Sequence, residues 1–319
     1  MIEIFAESEL MREALNLARR VAATDTNVLI TGESGTGKDT LAYFVHSQSR
    51  RATQPYVKID CATLPRELLE AELFGYERGA FTSATEAKPG RLEAAHKGTL
   101  VLDEIAYLST DSQAKLLRVI ETRQFERLGG QRTITVDARV IALTNVDLKE
   151  AITRRSFRED LYYRLNVVHI EVPPLRRRLD DLPHLVQHLM GVYSLKHGRA
   201  VDGLATEAFS LLREYDFPGN VRELGNILER ASIVASGKGL RVEDLPESIR
   251  SAVQSKRRRS KPQTLAELEA DYLRETLLLT KGNKTEAARI LGISRKNLYE
   301  RLARQGKHDE AEDRATADL

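Results

Sequence analysis

The sequence predicts a mixed α/β chain: a three-layer core of parallel strands and helices, a helical lid, and a small all-α helix-turn-helix module. Three observations carry that prediction. Apolar runs at residues 28–30, 98–102 and 138–143 each lead into polar residues, as do parallel strands that are buried on both faces and present function at their C-terminal ends. After Pro173-Pro174 the alternation of strand and helix stops and helical periodicity continues alone. Near the C-terminus, Ala288, Gly292 and Leu298 fall in the register of two helices that cross at a tight turn. The boundaries that follow are a core over 1–172, a lid over 173–245, a basic linker over 246–263, a helix-turn-helix module over 264–306 and an acidic, disordered tail over 307–319.

The first run, Val28-Leu29-Ile30, opens into Gly32-Glu33-Ser34-Gly35-Thr36-Gly37-Lys38, and a helical stretch from Thr40 to His46 follows. Strand, glycine loop and helix together form a phosphate cradle. The glycines let backbone N–H groups curl around phosphate oxygens, the helix N-terminus adds positive potential, and Lys38 reaches the terminal phosphates. The strand before and the helix after weigh against an ordinary glycine-rich turn. One feature departs from the usual loop: Asp39 stands where a hydroxyl residue ordinarily ligates magnesium, and Thr40 carries the hydroxyl one position later. ATP with Mg2+ is the expected ligand pair, the cation being held through water or a carboxylate.

The second run ends in Asp103-Glu104 at a strand's C-terminal edge. Alone, an Asp-Glu pair is solvated surface. Downstream of a phosphate loop it reads as a magnesium anchor, Asp103, and a base that polarises water, Glu104. The third run ends in Thr144-Asn145, polar groups suited either to sensing the γ-phosphate or to a plain turn.

In the C-terminal module Ser294 is placed to cap a second helix, whose exposed face would carry Arg295, Lys296, Asn297, Tyr299 and Arg301 toward a major groove. The amphipathic stretch Leu265 to Leu273 suits a packing helix that pairs two such modules on a palindromic double-stranded site. A net charge of +2 over 319 residues excludes a uniformly basic binder but leaves room for the local run Lys256-Arg257-Arg258-Arg259, read as a solvated linker. A single cysteine, Cys61, leaves no intrachain disulfide and fits a reducing cytoplasm. No apolar stretch approaches the roughly 20 residues that span a membrane.

The three strand ends, in this order, resemble those of AAA+ ATPases. Between two of them lies Leu73-Phe74-Gly75-Tyr76-Glu77-Arg78-Gly79-Ala80-Phe81-Thr82-Ser83-Ala84, which narrows the resemblance to the bacterial enhancer-binding activators of sigma-54 RNA polymerase, with a Fis-like module at the end. The resemblance runs from about Ile2 to Gly306. The family's loop ordinarily has glycine where this chain has Ser83, a residue that enters positive φ less cheaply. The resemblance implies that Gly79, Ala80, Phe81, Thr82, Ser83 and Ala84 meet the sigma factor, with Phe81 and Thr82 in direct contact. It implies that Arg158 and Arg164 match fingers reaching a neighbouring subunit's nucleotide, at least one of them serving as such because six residues of helix turn through roughly 240° and the two cannot share a face, and that Arg222 is a sensor on the subunit's own nucleotide. Asp60 falls where many relatives have an Asn that restrains the catalytic glutamate. Asp160 lies four residues before Arg164, a spacing for a local ion pair.

The resemblance further implies a bacterial, cytoplasmic, DNA-bound ring, a hexamer of one or two kinds of subunit, that drives promoter opening. Because the ATPase pattern starts almost at Met1, control in trans by a separate regulator is expected. Two other readings compete: an AAA+ remodeller of a different protein target tethered to DNA, and a DNA-binding repressor with a degenerate nucleotide fold.

Overall fold

The computed structural model describes residues 4–302 other than 83, 199–202, 236, 238, 261–264 and 281. The acidic tail expected over 307–319 and Ser83 of the loop lie outside the described residues. Two compact units are present, residues 1–250 and 251–319.

In the first unit, Ser8 caps α1 (Glu9–Ala22) by accepting from the N–H of Met11. Strand β1 (Val28–Thr31) runs into the phosphate loop, from which α2 (Lys38–Ser47) starts. After β2 (Tyr56–Asp60) and α3 (Arg66–Phe74) comes a small antiparallel hairpin, β3 (Gly75–Tyr76) with β4 (Lys88–Pro89). The short α4 (Arg91–Ala94) leads to β5 (Thr99–Asp103), α5 (Thr110–Thr122) and a second hairpin, β6 (Gln124–Glu126) with β7 (Thr133–Thr135). The core ends with β8 (Arg139–Thr144), α6 (Leu148–Thr153), α7 (Glu159–Leu165) and β9 (Val168–Glu171).

Five of these strands form one parallel sheet in the order β2-β5-β8-β1-β9. Because strand side chains alternate, the sheet feeds two cores, one on each face. Val28, Ile30, Val101, Ile141 and Leu143 pack against α1 and α2, while Leu29, Leu100, Leu102, Val140 and Ala142 pack against α3, α5 and α7. That is the three-layer α/β core the sequence predicts, with β5 and β8 buried on both faces as apolar runs require.

The lid consists of α8 (Leu182–His197), α9 (Thr206–Glu214) and α10 (Asn220–Val234) around Leu185, Leu212, Phe217, Leu224 and Leu228. A short parallel pair, β10 (Gly203–Leu204) with β11 (Gly239–Leu240), joins it. The stretch read as a solvated linker is instead helical, α11 (Glu247–Ser260). Its Lys, Arg, Gln and Ala are good helix formers, the basic end suits a helix C-terminus, and Ile249 and Val253, one turn apart, are both buried.

The second unit contains α12 (Leu265–Leu279), α13 (Lys284–Ile290) and a helix over residues 295–302. Leu273, Ala287, Ala288 and Leu298 form its core, so the small residue and the apolar residue of the predicted register do meet. Gly292, at φ 65°, makes the turn between the last two helices.

Arg139 has no counterpart in the sequence reading. It is 1% exposed and donates to the carbonyls of Val21, Ala22 and Thr26 at 2.8–3.3 Å, closing the C-terminal end of α1. Arg139→Met is expected to lower the free energy of unfolding by about 3 kcal/mol, because the carbonyls of Ala22 and Thr26 would lose the guanidinium donor, while that of Val21 keeps Thr24. Urea denaturation followed by circular dichroism measures this, and an unchanged midpoint would show that the three bonds contribute nothing.

Candidate functional site

The phosphate loop sits at the C-terminal edge of the sheet, where β1 ends. Gly37, at φ 102°, turns the chain into α2. A side chain at Gly35 would strike the carbonyl oxygen of Gly219 at 2.3 Å, so glycine there permits the lid to close on the loop. Lys38 is nearly buried and donates to the carbonyls of Gly32 and Glu33 at 2.8 and 3.2 Å. Burial pulls its ammonium below the usual lysine range, and the nearby carboxylate of Glu104 partly opposes that.

Asp103 and Glu104 end β5 beside it. Glu104 has left-handed backbone geometry, φ 53° and ψ 50°, which a non-glycine residue holds only when its surroundings fix it. Its Oε2 accepts from the N–H of Asn145 at 3.2 Å and its Oε1 lies 4.0 Å from Lys38 Nζ. Asn145 is exposed at the next strand end. Thr144 is fully buried and its hydroxyl accepts from the N–H of Val146, so it shapes this turn rather than facing the pocket. Asp60 accepts from the N–H of Ala62, so the partner found for Glu104 is Asn145 and not Asp60. Its neighbour Cys61 is buried, with a thiol pushed up to about 12, and stays protonated.

The lid closes the pocket from above. Arg222 donates to Ser34 Oγ at 2.9 Å, and the N–H groups of Val221 and Arg222, at the start of α10, point to the carbonyl of Gly35. Together with Ser34, Lys38, Asp39, Thr40, Asp103 and Glu104, the lid residues Leu189, Tyr193 and Arg222 line a cavity of about 390 Å³. A larger groove of about 660 Å³ runs between α1 and β9 and holds none of the predicted residues.

Several residues that fix this geometry escaped the sequence reading. Arg176 grips Glu33 with two bonds of 2.7 and 2.5 Å. Asn220, fully buried, donates to Glu33 and Ser34 and accepts from Leu175. Arg178, 4% exposed, donates to the carbonyl of Thr36 at 2.5 Å and lies 3.9 Å from Asp181, which in turn accepts from Glu7 and Ser8. The arginine run 176–178 directly after the last core strand was the available signal.

Lys58 also went unnoticed. It reaches Asp103 at 2.8 Å and contacts Asp39 as well. Burial pulls its ammonium down, but the two carboxylates outweigh this and raise it. Among the described residues no group of three His, Cys, Asp or Glu is placed to hold a metal. Two hard carboxylates that share one cation do fit Mg2+, which typically takes one or two carboxylates plus nucleotide phosphates.

Neither finger candidate lines its own subunit's cavity. Arg158, just before α7, pairs with Asp160 at 3.0 and 2.7 Å, while Arg164 pairs with Glu121 at 3.0 Å. The local Asp160–Arg164 pair expected from spacing is therefore replaced, since Asp160 folds back toward the helix start and also accepts from the N–H of Leu161.

The loop 79–84 projects from the β3–β4 hairpin and is closed by bonds from Gly79 N–H to Ala84 and from Ala84 N–H to Phe81. Thr82 is exposed, but Phe81 is only 37% exposed and lies edge-on to Tyr76 at 4.9 Å, so the aromatic tip is folded down rather than free-standing. The β6–β7 hairpin braces it: Glu77 N–H donates to Leu128, Leu128 N–H to Gly75, and Arg127 pairs with Glu77 and Glu93.

In the second unit Ser294 caps the last helix through the N–H of Asn297. Arg295, Lys296 and Tyr299 are exposed, and Lys284 lies over the Tyr299 ring at 4.8 Å. Arg301 departs from its expected role, because it pairs with Glu269 of α12 and with Asn297, which holds it against its own module.

Residues 4–171 match the sigma-54 interaction domain, 176–262 the AAA+ ATPase lid domain, and 264–304 the Fis family of bacterial regulatory proteins. The chain is 42% identical over 311 residues to the regulatory protein AtoC of Escherichia coli (strain K12), covering 95% of this chain and 68% of that protein. It is 44% identical over 301 residues to the transcriptional regulatory protein ZraR of Salmonella typhimurium, covering 94% and 68%. Among solved structures, NtrX from Brucella abortus in complex with ATP superposes with a TM-score of 0.75 at 33% identity, covering 96% of this chain and 70% of that one. Among the described residues no helix is long and apolar enough to cross a membrane.

The lid clamp has a pH signature. Two hydrogen bonds from Arg176 hold the Glu33 carboxyl at about 2, below its ordinary 4.5. A lowered carboxylate stabilises the fold fully above about pH 4.5 and loses that contribution as pH falls toward 2. Carboxyl-carbon NMR should show Glu33 titrating well below the other glutamates, and Arg176→Ala should return it to the ordinary range. A Glu33 that titrates normally in the parent chain would mean that the clamp does not form in solution.

Proposed function

The chain belongs to the sigma-54-interacting transcriptional activators, AAA+ ATPases with a Fis-type DNA-binding module, and on that premise we propose how its own residues divide the work. It hydrolyses ATP and activates sigma-54-dependent transcription. The observation that carries the assignment of roles is Glu104, fixed in a strained backbone at the strand edge between Asn145 and Lys38, inside a pocket roofed by Arg222.

Gly32 to Thr40 receive the phosphates, with Lys38 leaving the carbonyls of Gly32 and Glu33 to meet them. Arg222 moves from Ser34 onto the nucleotide of its own subunit. Glu104 accepts the proton of the attacking water, and Asn145, bonded to it through backbone N–H, registers the γ-phosphate. Magnesium, held by Asp103 and the phosphates, would supply neutralising charge. Asp60 and Thr144 act through the shape of the strand ends rather than by touching the nucleotide.

The subunits assemble into a ring, taken as a hexamer, in which Arg158 and Arg164 exchange Asp160 and Glu121 for a neighbour's γ-phosphate. The loop Gly79 to Ala84 grips the sigma factor through Phe81 and Thr82. Its hairpin stands between α3 and α4, whose Leu69, Phe74 and Leu92 share a core with Leu100 and Leu102 of β5. A shift at Glu104 can therefore reach the loop through packed side chains. Ser294, Arg295, Lys296, Asn297 and Tyr299 face double-stranded DNA upstream of the promoter, with Arg301 holding their helix in place.

Removal of Lys38 by substitution with alanine is expected to abolish ATP binding. Glu104→Gln should keep ATP binding and lower turnover by about 10² to 10⁴, the range of a lost general base. Phosphate release and binding of a fluorescent ATP analogue read both, and parental turnover by Glu104→Gln would remove it as the base. Phe81→Ala should leave ATP hydrolysis in place and eliminate open promoter complexes, scored by permanganate footprinting. Normal promoter melting by that variant would show that the loop is not the sigma contact.

A further inference from the structure

We propose that Lys58 is a built-in counter-cation that occupies the divalent-metal position between Asp39 and Asp103 and competes with Mg2+ for those two carboxylates. The inference rests on the nucleotide-site reading above and goes beyond it by assigning a residue that the reading does not use.

The placement follows from strand periodicity. Val57 and Ile59 of β2 turn toward the core shared with α3 and α5, so Lys58 stands on the opposite face of the sheet, the face that α2 covers. There its ammonium meets Asp103 at the end of β5 and Asp39 in the first turn of α2, two carboxylates from separate elements that both line the cavity containing Lys38. Asp39 is where the phosphate loop departs from its usual hydroxyl residue. The departure adds a negative charge to the metal position, and Lys58 supplies a compensating positive one.

A surface brace between β2 and α2 is the plain alternative, and exposed ion pairs contribute only about 0–1 kcal/mol. Asp103 is not an exposed partner: its side chain is 14% accessible, and it is the carboxylate at the strand end where the metal anchor is expected. Two carboxylates around one ammonium leave one negative charge, whereas a divalent cation would cancel both. Mg2+ must displace Lys58 to bind, and the flexible, 35% exposed stem of Lys58 lets it swing toward solvent. After hydrolysis the returning ammonium would prevent the two carboxylates from being left uncompensated, which favours release of metal and product.

Manganese is the probe, counted by electron paramagnetic resonance on the full chain, alone and with ADP. Lys58→Met and Lys58→Gln are expected to tighten Mn2+ binding about ten-fold, equal to roughly 1.4 kcal/mol. Lys58→Arg, which keeps the cation, should bind as the parent does. Tightening in the neutral variants with no change in the arginine variant supports the proposal, since a mere brace would not move metal affinity. Unchanged or weaker Mn2+ binding in both neutral variants, with binding of a fluorescent ATP analogue intact, overturns the role of Lys58 alone. A parent chain that takes up no ATP analogue overturns the nucleotide reading and this inference with it.

Discussion

A phosphate loop must keep its N–H groups turned inward for phosphate, so its carbonyls turn outward and each needs a donor of its own. The rest of the core-lid geometry depends on this constraint. Gly32 and Glu33 accept from Lys38, Ser34 from Asn220, Gly35 from Val221 and Arg222, Thr36 from Arg178, and Gly37 from Leu41. Three of the four donors that are not on α2 come from the first turn of α10, and Arg178 lies in the segment between β9 and α8. The lid is thus a supplier of hydrogen bonds to the loop, and a rearrangement of the loop around nucleotide would be felt in α10 directly.

Charge in the core is arranged in exchangeable pairs. Lys38 lies on loop carbonyls, Arg222 on Ser34, Lys58 on two carboxylates, and Arg158 and Arg164 on Asp160 and Glu121. The Arg158 and Arg164 pairs are exposed, where ion pairs are weak, so giving them up for another partner costs little. The buried pair of Arg178 with Asp181 is different in kind. It links the loop carbonyl of Thr36 to the cap of α1, and breaking it would leave charge without a partner in the interior.

The loop over 79–84 follows a similar logic in hydrophobic form. Phe81 rests against Tyr76 and is braced by the second hairpin, where Gly129 has no room for a side chain because Ala80 lies within 2.9 Å of where its Cβ would be. An edge-to-face aromatic contact is worth about 0.5–1.5 kcal/mol, small enough for a change in the packed face below to release it.

The sequence by itself determined the layered core, the phosphate loop that leads to Lys38, the strand ends that carry Asp103, Glu104 and Asn145, and the register of the C-terminal helices. Each of these is a local periodicity or spacing that backbone geometry converts into position. It misread residues 247–260 as linker, because a two-residue apolar seam in a basic stretch becomes visible only once Ile249 and Val253 are seen to be buried. Only the tertiary structure decided the partners: Lys58 between two carboxylates, Arg176 and Asn220 on Glu33, Arg301 on Glu269, and Arg164 on Glu121 in place of Asp160. A charged side chain's partner depends on which distant elements the sheet order and the lid bring within a few ångströms, and no spacing along the chain encodes that distance.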